Sequence, residues 1–335
     1  MLGEFFTKYW LAGAIALTVV AALIFPAPGL VLPDYYVIDI GVVLVMFLGA
    51  LKITPDRFKK AIKRMDLLIL SGITVFVVAP AASLGLAWAL GLDGGTDRLA
   101  VLVCTAQAST LATAIVLTEV AGGDVALAMV ITVVNNVATV FLTPLIFKVA
   151  ADAEVEVDHF AMAGEMALKI LTPVLVAQLV RRRLDEFVSR HGRRLSVTSQ
   201  LIILVYVYAG VAAASQRLEG AGPVLARVVA LVIALHAAML IFSAIVARIT
   251  TKSPEMRVAF VMCSSQKTLP AAILIWKSYF ASMPIGPLVA VAYHMLQLVV
   301  DSMLAPGFLR LPIVRNRAKN GSADFKKGES NERND

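Results

Sequence analysis

Charge is scarce in this chain. Lys, Arg, Asp and Glu make up 16% of the 335 residues, while 59% are hydrophobic. That balance excludes a soluble domain of this length and a disordered chain alike. Cysteine is nearly absent: Cys104 and Cys263 are the only two. Both fall in apolar stretches, which excludes a disulfide framework and leaves them as small packing residues. There is no HExxH, no GxSxG and no paired Asp-rich motif that could hold magnesium, so the usual signatures of a membrane enzyme are missing. The lack of a P-loop removes ATP-driven transport.

What is present is apolar sequence in long runs, with a mean hydropathy of +0.83. A bilayer-spanning helix takes roughly 20 apolar residues. Ten stretches qualify, at 9–29, 36–53, 67–91, 99–120, 125–148, 160–180, 196–216, 224–247, 257–278 and 284–307. A β-barrel would show shorter alternating segments. The expected fold is therefore all-α and polytopic, with ten transmembrane helices.

The net charge of +7 follows topology rather than nucleic acid. The loops at 52–64 and 181–194 hold six Lys or Arg each, that at 248–257 holds three, and the tail from Arg310 holds seven. The alternate loops hold only Arg98, Lys148, Arg217, Arg227 and Lys277. The positive-inside rule then places both termini in the cytoplasm of a bacterial or archaeal cell, with the chain integral to the plasma (inner) membrane. The first apolar stretch is long enough to be a retained span rather than a signal peptide. Residues 311–335 are polar and aperiodic, and read as a disordered cytoplasmic tail. The sequon at Asn320 lies on the wrong side of the membrane for glycosylation.

The chain echoes itself. Cys104 opens C-T-A-Q-A-S-T-L-A in span 4, and Cys263 opens C-S-S-Q-K-T-L-P-A in span 9. Gln107 and Gln266 thus hold equivalent places, as do Asn135 and Gln297, each nine residues before Pro144 or Pro306. A repeat of five helices must run through the membrane in opposite senses, an inverted-topology repeat of the kind that secondary transporters use. The expected halves are 1–150 and 159–310.

Spans 4 and 9 make poor uniform helices. Span 4 carries Gln107, Ser109, Thr110 and Thr113; span 9 carries Ser264, Ser265, Gln266, Lys267 and Thr268, then Pro270. Proline removes a donor and clashes with the carbonyl four residues earlier, here that of Gln266. Both spans are expected to be broken helices that cross near the midplane. Lys267 is the costly residue, at roughly 2.5–3.5 kcal/mol for a lysine at the centre of a membrane helix. Its depth disfavours snorkelling, and it reads as a cation at a binding site. Asp301, one turn beyond Gln297, is the candidate counter-charge. Asn135 and Asn136 face the interior, and His294 lies three residues before Gln297 on one face. Glu165 and Lys169 are spaced to pair on one helix. His236 reads as a hydrogen-bonded packing residue, and Glu119 and Asp124 as turn residues.

These residues carry a resemblance. The segment 118-TEVAGGDVALAMVITVVNNVATVFLTPLIF-147 resembles spans 4 and 5 of the bile acid:sodium symporter family, and 44-LVMFLGALKITPDRFKKAIKR-64 and Pro80 fit it too. C-S-S-Q-K-T-L and Y-H-x-x-Q-L look like the bacterial branch related to member 7 of solute carrier family 10. The resemblance covers about residues 10–310. It implies a panel bundle of spans 1, 2, 6 and 7, a core bundle of spans 3–5 and 8–10, and a substrate crevice between them. It also implies sodium ligands, and here the sequence departs. The positions matching the family's ligands are Val75, Ala114, Ile115, Ala128, Met262 and Lys267; only Thr132 and Gln266 keep a suitable side chain. A hard cation wants several oxygens.

The resulting expectation is an alternating-access transporter of a small organic anion, without sodium bound at the family's usual sites. Lys267 would stand in for the cation, and a proton rather than sodium would be the coupling ion, if there is one. The expected site comprises Lys267, Gln266, Ser265, Ser264, Thr268, Gln107, Thr113, Thr132, Asn135, Asn136, His294 and Gln297. No cofactor, metal or nucleic acid is expected; the sequence leaves oligomeric state open. A sodium-dependent bile-acid-type symporter with altered sites and a non-transporting regulatory membrane protein are the alternatives.

Overall fold

A computed structural model describes residues 2–32, 36–53, 63–92, 94–111, 113–151, 157–215, 222–281 and 286–308, and within them the regular structure is helical throughout. The helices are α1 (Leu2–Ile24), α2 (Ala27–Val31), α3 (Val37–Ala50), α4 (Met65–Ala89), α5 (Gly95–Thr105), α6 (Thr113–Val120), α7 (Val125–Ala151), α8 (His159–Arg181), α9 (Asp185–Ser215), α10 (Gly222–Thr250), α11 (Pro254–Ser265), α12 (Leu269–Tyr279) and α13 (Gly286–Phe308).

Seven of these units are long and apolar enough to cross a bilayer: α4, α7, α8, α9, α10, the α11–α12 pair and α13. Shorter apolar helix occupies Gly13–Ile24 and Val37–Ala50. Large apolar side chains such as Leu17, Val77, Phe141, Leu179 and Ile249 stand exposed on the outside, a surface suited to lipid rather than water. The molecule is an integral membrane protein.

Two expectations about loops need correction. The basic stretch 181–194 is not an open loop, because α9 begins at Asp185. The link from α8 is only the turn at 182–184, which the Arg181–Asp185 pair spans at 2.5 Å, and Glu186–Arg190 at 2.5 Å is an i,i+4 pair in the first turns of α9. The first helix ends at Ile24 rather than near 29, with Pro26 directly before the short α2. Most of the 52–64 loop, residues 311–335 and Asn320 lie outside the described residues.

Packing sorts the helices into neighbourhoods. α1 and α3 lie against α9, and α3 against α8; α10 packs on α11, α13 and α4, while α5 packs on α13 and α4. The second group also includes α7, and the two groups meet where α8 packs on α7, where α3 and α9 touch α12, and where α9 and α1 touch α13. Small residues permit these approaches, as they do wherever membrane helices pack closely. A Cβ on Gly41 would stand 2.5 Å from the Tyr206 hydroxyl, which bonds Ile38 O at 3.1 Å; one on Gly210 would stand 2.8 Å from Val291.

Two helices contain a widened π-turn that the sequence pattern did not suggest, Thr74–Val78 in α4 and Ala167–Leu171 in α8. Each lies just before a proline, Pro80 or Pro173. In α4 the Ala79 N–H bonds back to Thr74 O, five residues earlier. The next donor in that ladder belongs to Pro80, which has none. The Val75 carbonyl is therefore left without a helical partner.

Candidate functional site

The two broken spans meet. α5 stops at Thr105 and α6 starts at Thr113; α11 stops at Ser265 and α12 starts at Leu269. Gln266 and Thr268 have extended backbones, and Pro270 occupies the first turn of α12, where a missing N–H costs nothing. The breaks join through Thr268 N, which donates to Ala108 O at 2.9 Å.

Broken helices at membrane depth leave orphaned backbone groups that the protein itself must satisfy. Lys267 supplies the donors. Its side chain is 2% exposed, and Nζ donates to Val75 O at 2.6 Å, Thr105 O at 2.6 Å and Gln107 O at 3.0 Å. The first carbonyl is the one stranded by the π-turn and Pro80. The other two lie at the C-terminal end of α5, where the helix dipole favours a cation. An ammonium has three N–H donors, and all three are used.

Gln297 from α13 holds the Lys267 backbone from the other side. Its Oε1 accepts from Lys267 N at 2.8 Å, and its Nε2 donates to Lys267 O at 2.9 Å. One side-chain amide thus replaces the helical partners that the break removes. His294 Nδ1 lies 2.8 Å from Gln297 Nε2 and completes the clamp.

Asp301 is not the counter-charge of Lys267. Its carboxylate accepts from His236 Nε2 at 2.9 Å and from Gln266 Nε2 at 2.7 Å. The lysine is served by neutral carbonyls instead, and the carboxylate takes two donors from α10 and the second break. His236 is a buried, hydrogen-bonded residue, as expected: Nε2 meets Asp301 and its ring meets that of Tyr293 edge-on. Tyr293 donates to Ser265 O at 2.8 Å.

The remaining expected residues fall around the same crossing. Gln266 Oε1 accepts from Thr110 Oγ1 at 2.7 Å, with Thr113 Oγ1 at 3.4 Å, and Thr110 also caps α6 through Ala114 N. Asn136 Nδ2 donates to Ser109 O at 2.9 Å, supporting the first break as Gln297 supports the second. Ser264 and Asn135 both bond Ser71, each at 3.0 Å, tying α11 and α7 to α4. The Ser265 hydroxyl bonds Val261 O within α11, and Gln107 Nε2 bonds Val103 O. Thr132 stands apart: its hydroxyl donates back to Ala128 O and Met129 O of its own helix. Ser71 and Tyr293 belong to the cluster without having been singled out. A serine in the apolar run of α4 and the tyrosine of Y-H-x-x-Q-L were the available signals.

The positions that the resemblance matches to the family's sodium ligands carry few side-chain oxygens. At the positions that match the family's ligands, Val75, Ala114, Ile115, Ala128 and Met262 offer no side-chain oxygen. Of the two that do, Thr132 is bonded within its helix and Gln266 Oε1 is occupied by threonine hydroxyls. Among the described residues, no three His, Cys, Asp or Glu side chains gather to hold a metal.

Two further features flank the crossing. A cavity of about 390 Å³ is lined by Lys52, Leu111, Ile115, Glu119, Met129 and Ser196, among others, and lies between the end of α3 and α9 on one side and α6 and α7 on the other. Lys52 sits in the turn after α3, outside the spans; its ammonium donates to the Ser196 hydroxyl, and burial lowers its pKa to about 8. At the other end of the same helices, Asp39 of α3 pairs with Lys169 of α8 at 2.5 Å and with Lys277 of α12. Glu165 pairs with Lys169, as its spacing suggested, and accepts from Ser278 at 2.7 Å.

Comparison with known proteins gives one family. A model described as the SBF-like CPA transporter family matches residues 9–310. An uncharacterized protein of Pseudomonas aeruginosa is 30% identical over 89% of this chain and 92% of its own length. YfeH of Escherichia coli, a candidate symporter by name, is 25% identical over 91% and 94%. Sodium/bile acid cotransporter 7 of Xenopus tropicalis is 22% identical over 93% and 94%.

Proposed function

The chain belongs to the SBF-like CPA transporter family, and from that premise we propose that it moves a small organic anion across the cell membrane by alternating access, with the Lys267 ammonium in the place of a coupling cation. It is a membrane transporter by family and not an enzyme. The observation that carries the proposal is the cage of three carbonyls on Lys267 Nζ. Backbone carbonyls at interrupted helices are what transporters of this general architecture use for cations. Here a tethered cation takes them.

The same reading has ten spans in two inverted halves, 1–150 and 159–310, with both termini cytoplasmic. The matching breaks support it; the amides that brace them are Gln297 and Asn136, one residue away from the Asn135 that the repeat pairs with Gln297, and Asn135 itself bonds Ser71. α1, α2, α3, α8 and α9 make the panel, and the remaining helices make the core. The ion cluster at Asp39, Lys169 and Lys277 joins panel to core at the outer ends, while the cavity beside Lys52 separates them at the inner ends. That asymmetry favours an inward-facing state.

Loss of the Lys267 proton would turn a lone pair toward carbonyl oxygens, so a step that released it must also move α4 or α5. The cycle is therefore proton-coupled through that movement, or is uniport if Lys267 keeps its proton. Purified protein in liposomes, given a panel of radiolabelled carboxylates in sodium-free buffer, is expected to exchange at least one of them. Exchange seen only with a sodium gradient would replace this reading by an ordinary sodium symporter. No exchange of any carboxylate under either condition would remove the organic anion.

A further inference from the structure

At the helix ends that the reading above places outside, the core meets the panel through charge. Lys277 stands in the last turn of α12; its ammonium pairs with Asp39 of α3 and lies 5.5 Å from the centre of the Tyr36 ring. The next residue, Ser278, donates to Glu165 of α8 at 2.7 Å. We propose that Lys277 and Ser278 are the bolt of an outer gate, which leaves Asp39 and Glu165 each time the protein opens outward. This rests on the transporter reading above and gives it a barrier between its two states.

Glu165, Lys169, Asp39 and Lys277 form a run of alternating sign. Lys169 pairs with both carboxylates, with Asp39 at 2.5 Å, and all three belong to panel helices. That part can move as one body and keep its bonds. Lys277 alone of the four belongs to the core. Lys169 holds the two carboxylates side by side against their repulsion, as a preformed seat for a second cation. When the core moves away, the panel keeps an excess negative charge and α12 carries off the positive one. Separating them costs free energy, so the seat holds the mouth shut.

Exposure sets the strength of the bolt. The four side chains are 13–22% exposed. A fully exposed pair would contribute too little to hold a gate, and a dry one would not release. The backbone carries a second sign. Tyr36 has φ 55°, the one positive value at a non-glycine among the described residues. It caps α3, with Asp39 in the first turn. Strain of this kind collects where contacts are made and broken.

α12 joins the gate to the crossing. It starts at Leu269, two residues after Lys267, and residues 269–276 are buried without interruption. Its 11 residues make a rod of about 16 Å. Drawing Lys277 from its seat therefore pulls on the segment that holds the caged ammonium.

The experiment reads the mouth from outside. Val291, buried in the second turn of α13, lies behind the gate against Gly210 of α9. Val291→Cys, in a chain with Cys104 and Cys263 replaced by alanine, is treated in right-side-out vesicles with a thiol reagent that cannot cross the bilayer. Modification is expected to be slow. Lys277→Gln and Asp39→Asn should each speed it about tenfold, the equivalent of one charge-assisted hydrogen bond. The double variant should be no faster than the faster single one, because both remove the same pair. Lys277→Arg keeps the charge at a seat open to water and should stay close to the slow rate. Equal rates with and without the neutral variants overturn the proposal, as does Lys277→Arg opening the mouth as far as Lys277→Gln. Lower melting temperatures without faster modification would make the cluster a structural bond and no gate. Carboxylate exchange with unchanged modification removes the gate and keeps the transporter. Faster modification in a protein that exchanges no carboxylate keeps the gate and removes the transport reading.

Discussion

Lys267→Met is expected to lower the melting temperature by roughly 5–10 °C and to abolish transport. Three charge-assisted bonds vanish, each contributing about 1.5–3 kcal/mol. Against that, a lysine at membrane depth costs roughly 2.5–3.5 kcal/mol, which the variant recovers. The net loss is about 1–6 kcal/mol; with each kcal/mol shifting the midpoint by about 2–4 °C in a protein of a few hundred residues, a loss of about 2.5 kcal/mol gives the expected shift. The carbonyls of Val75, Thr105 and Gln107 would be left facing one another without a donor. Lys267→Arg should not rescue the loss, since the cage receives a compact point charge and a planar fork presents its donors differently. Thermal melts of the purified variants decide it. A Lys267→Met protein that melts with the wild type would mean that the cage contributes nothing.

The second large effect belongs to Asp301. Asp301→Leu removes the acceptor for both His236 Nε2 and Gln266 Nε2, in a place where all three residues are at most 1% exposed. Removing a buried acceptor leaves each of its donors unsatisfied, at about 1–3 kcal/mol apiece. The double variant His236→Phe with Asp301→Leu should recover part of that loss, since it removes one of the two orphaned donors and leaves that of Gln266. Melting of the two single variants and the double variant gives the coupling. Additive losses would show that the pair does not act as a unit. The pair also holds Gln266 in its extended backbone, so the single variant should disturb the second break as well.

Much of this was open to a reader of the sequence, and the reasons are specific. Apolar runs of bilayer length mark helices whatever their packing, so helix occurs at the expected stretches. Lys267, Gln266 and Pro270 stand out because each is costly in an apolar helix, and a costly residue must have partners. The partners themselves were less visible. Val75 contributes only its carbonyl, and a valine in an apolar run gives no sign that the π-turn before Pro80 has freed it. Asp301 was matched to Lys267 by charge alone, whereas geometry gives it His236 and Gln266. The 181–194 stretch looked like a loop because basic charge was counted without its i,i+4 acidic partners. Lys52 was read as a topological charge, since no pattern in the chain tells that the start of α9 folds over it.

The central claim is that a lysine occupies the cation's place. Its most direct test is the melting temperature of the purified protein in sodium chloride against matched potassium chloride, for the wild type and Lys267→Asn. A ligand that binds only the folded state stabilises by RT ln(1 + [L]/Kd), about 2.7 kcal/mol at a hundred times Kd. The wild type is predicted to melt at the same temperature in both salts, while Lys267→Asn melts lower in potassium and gains from sodium as the ion enters the vacated carbonyls. Stabilisation of the wild type by sodium beyond potassium would contradict the account.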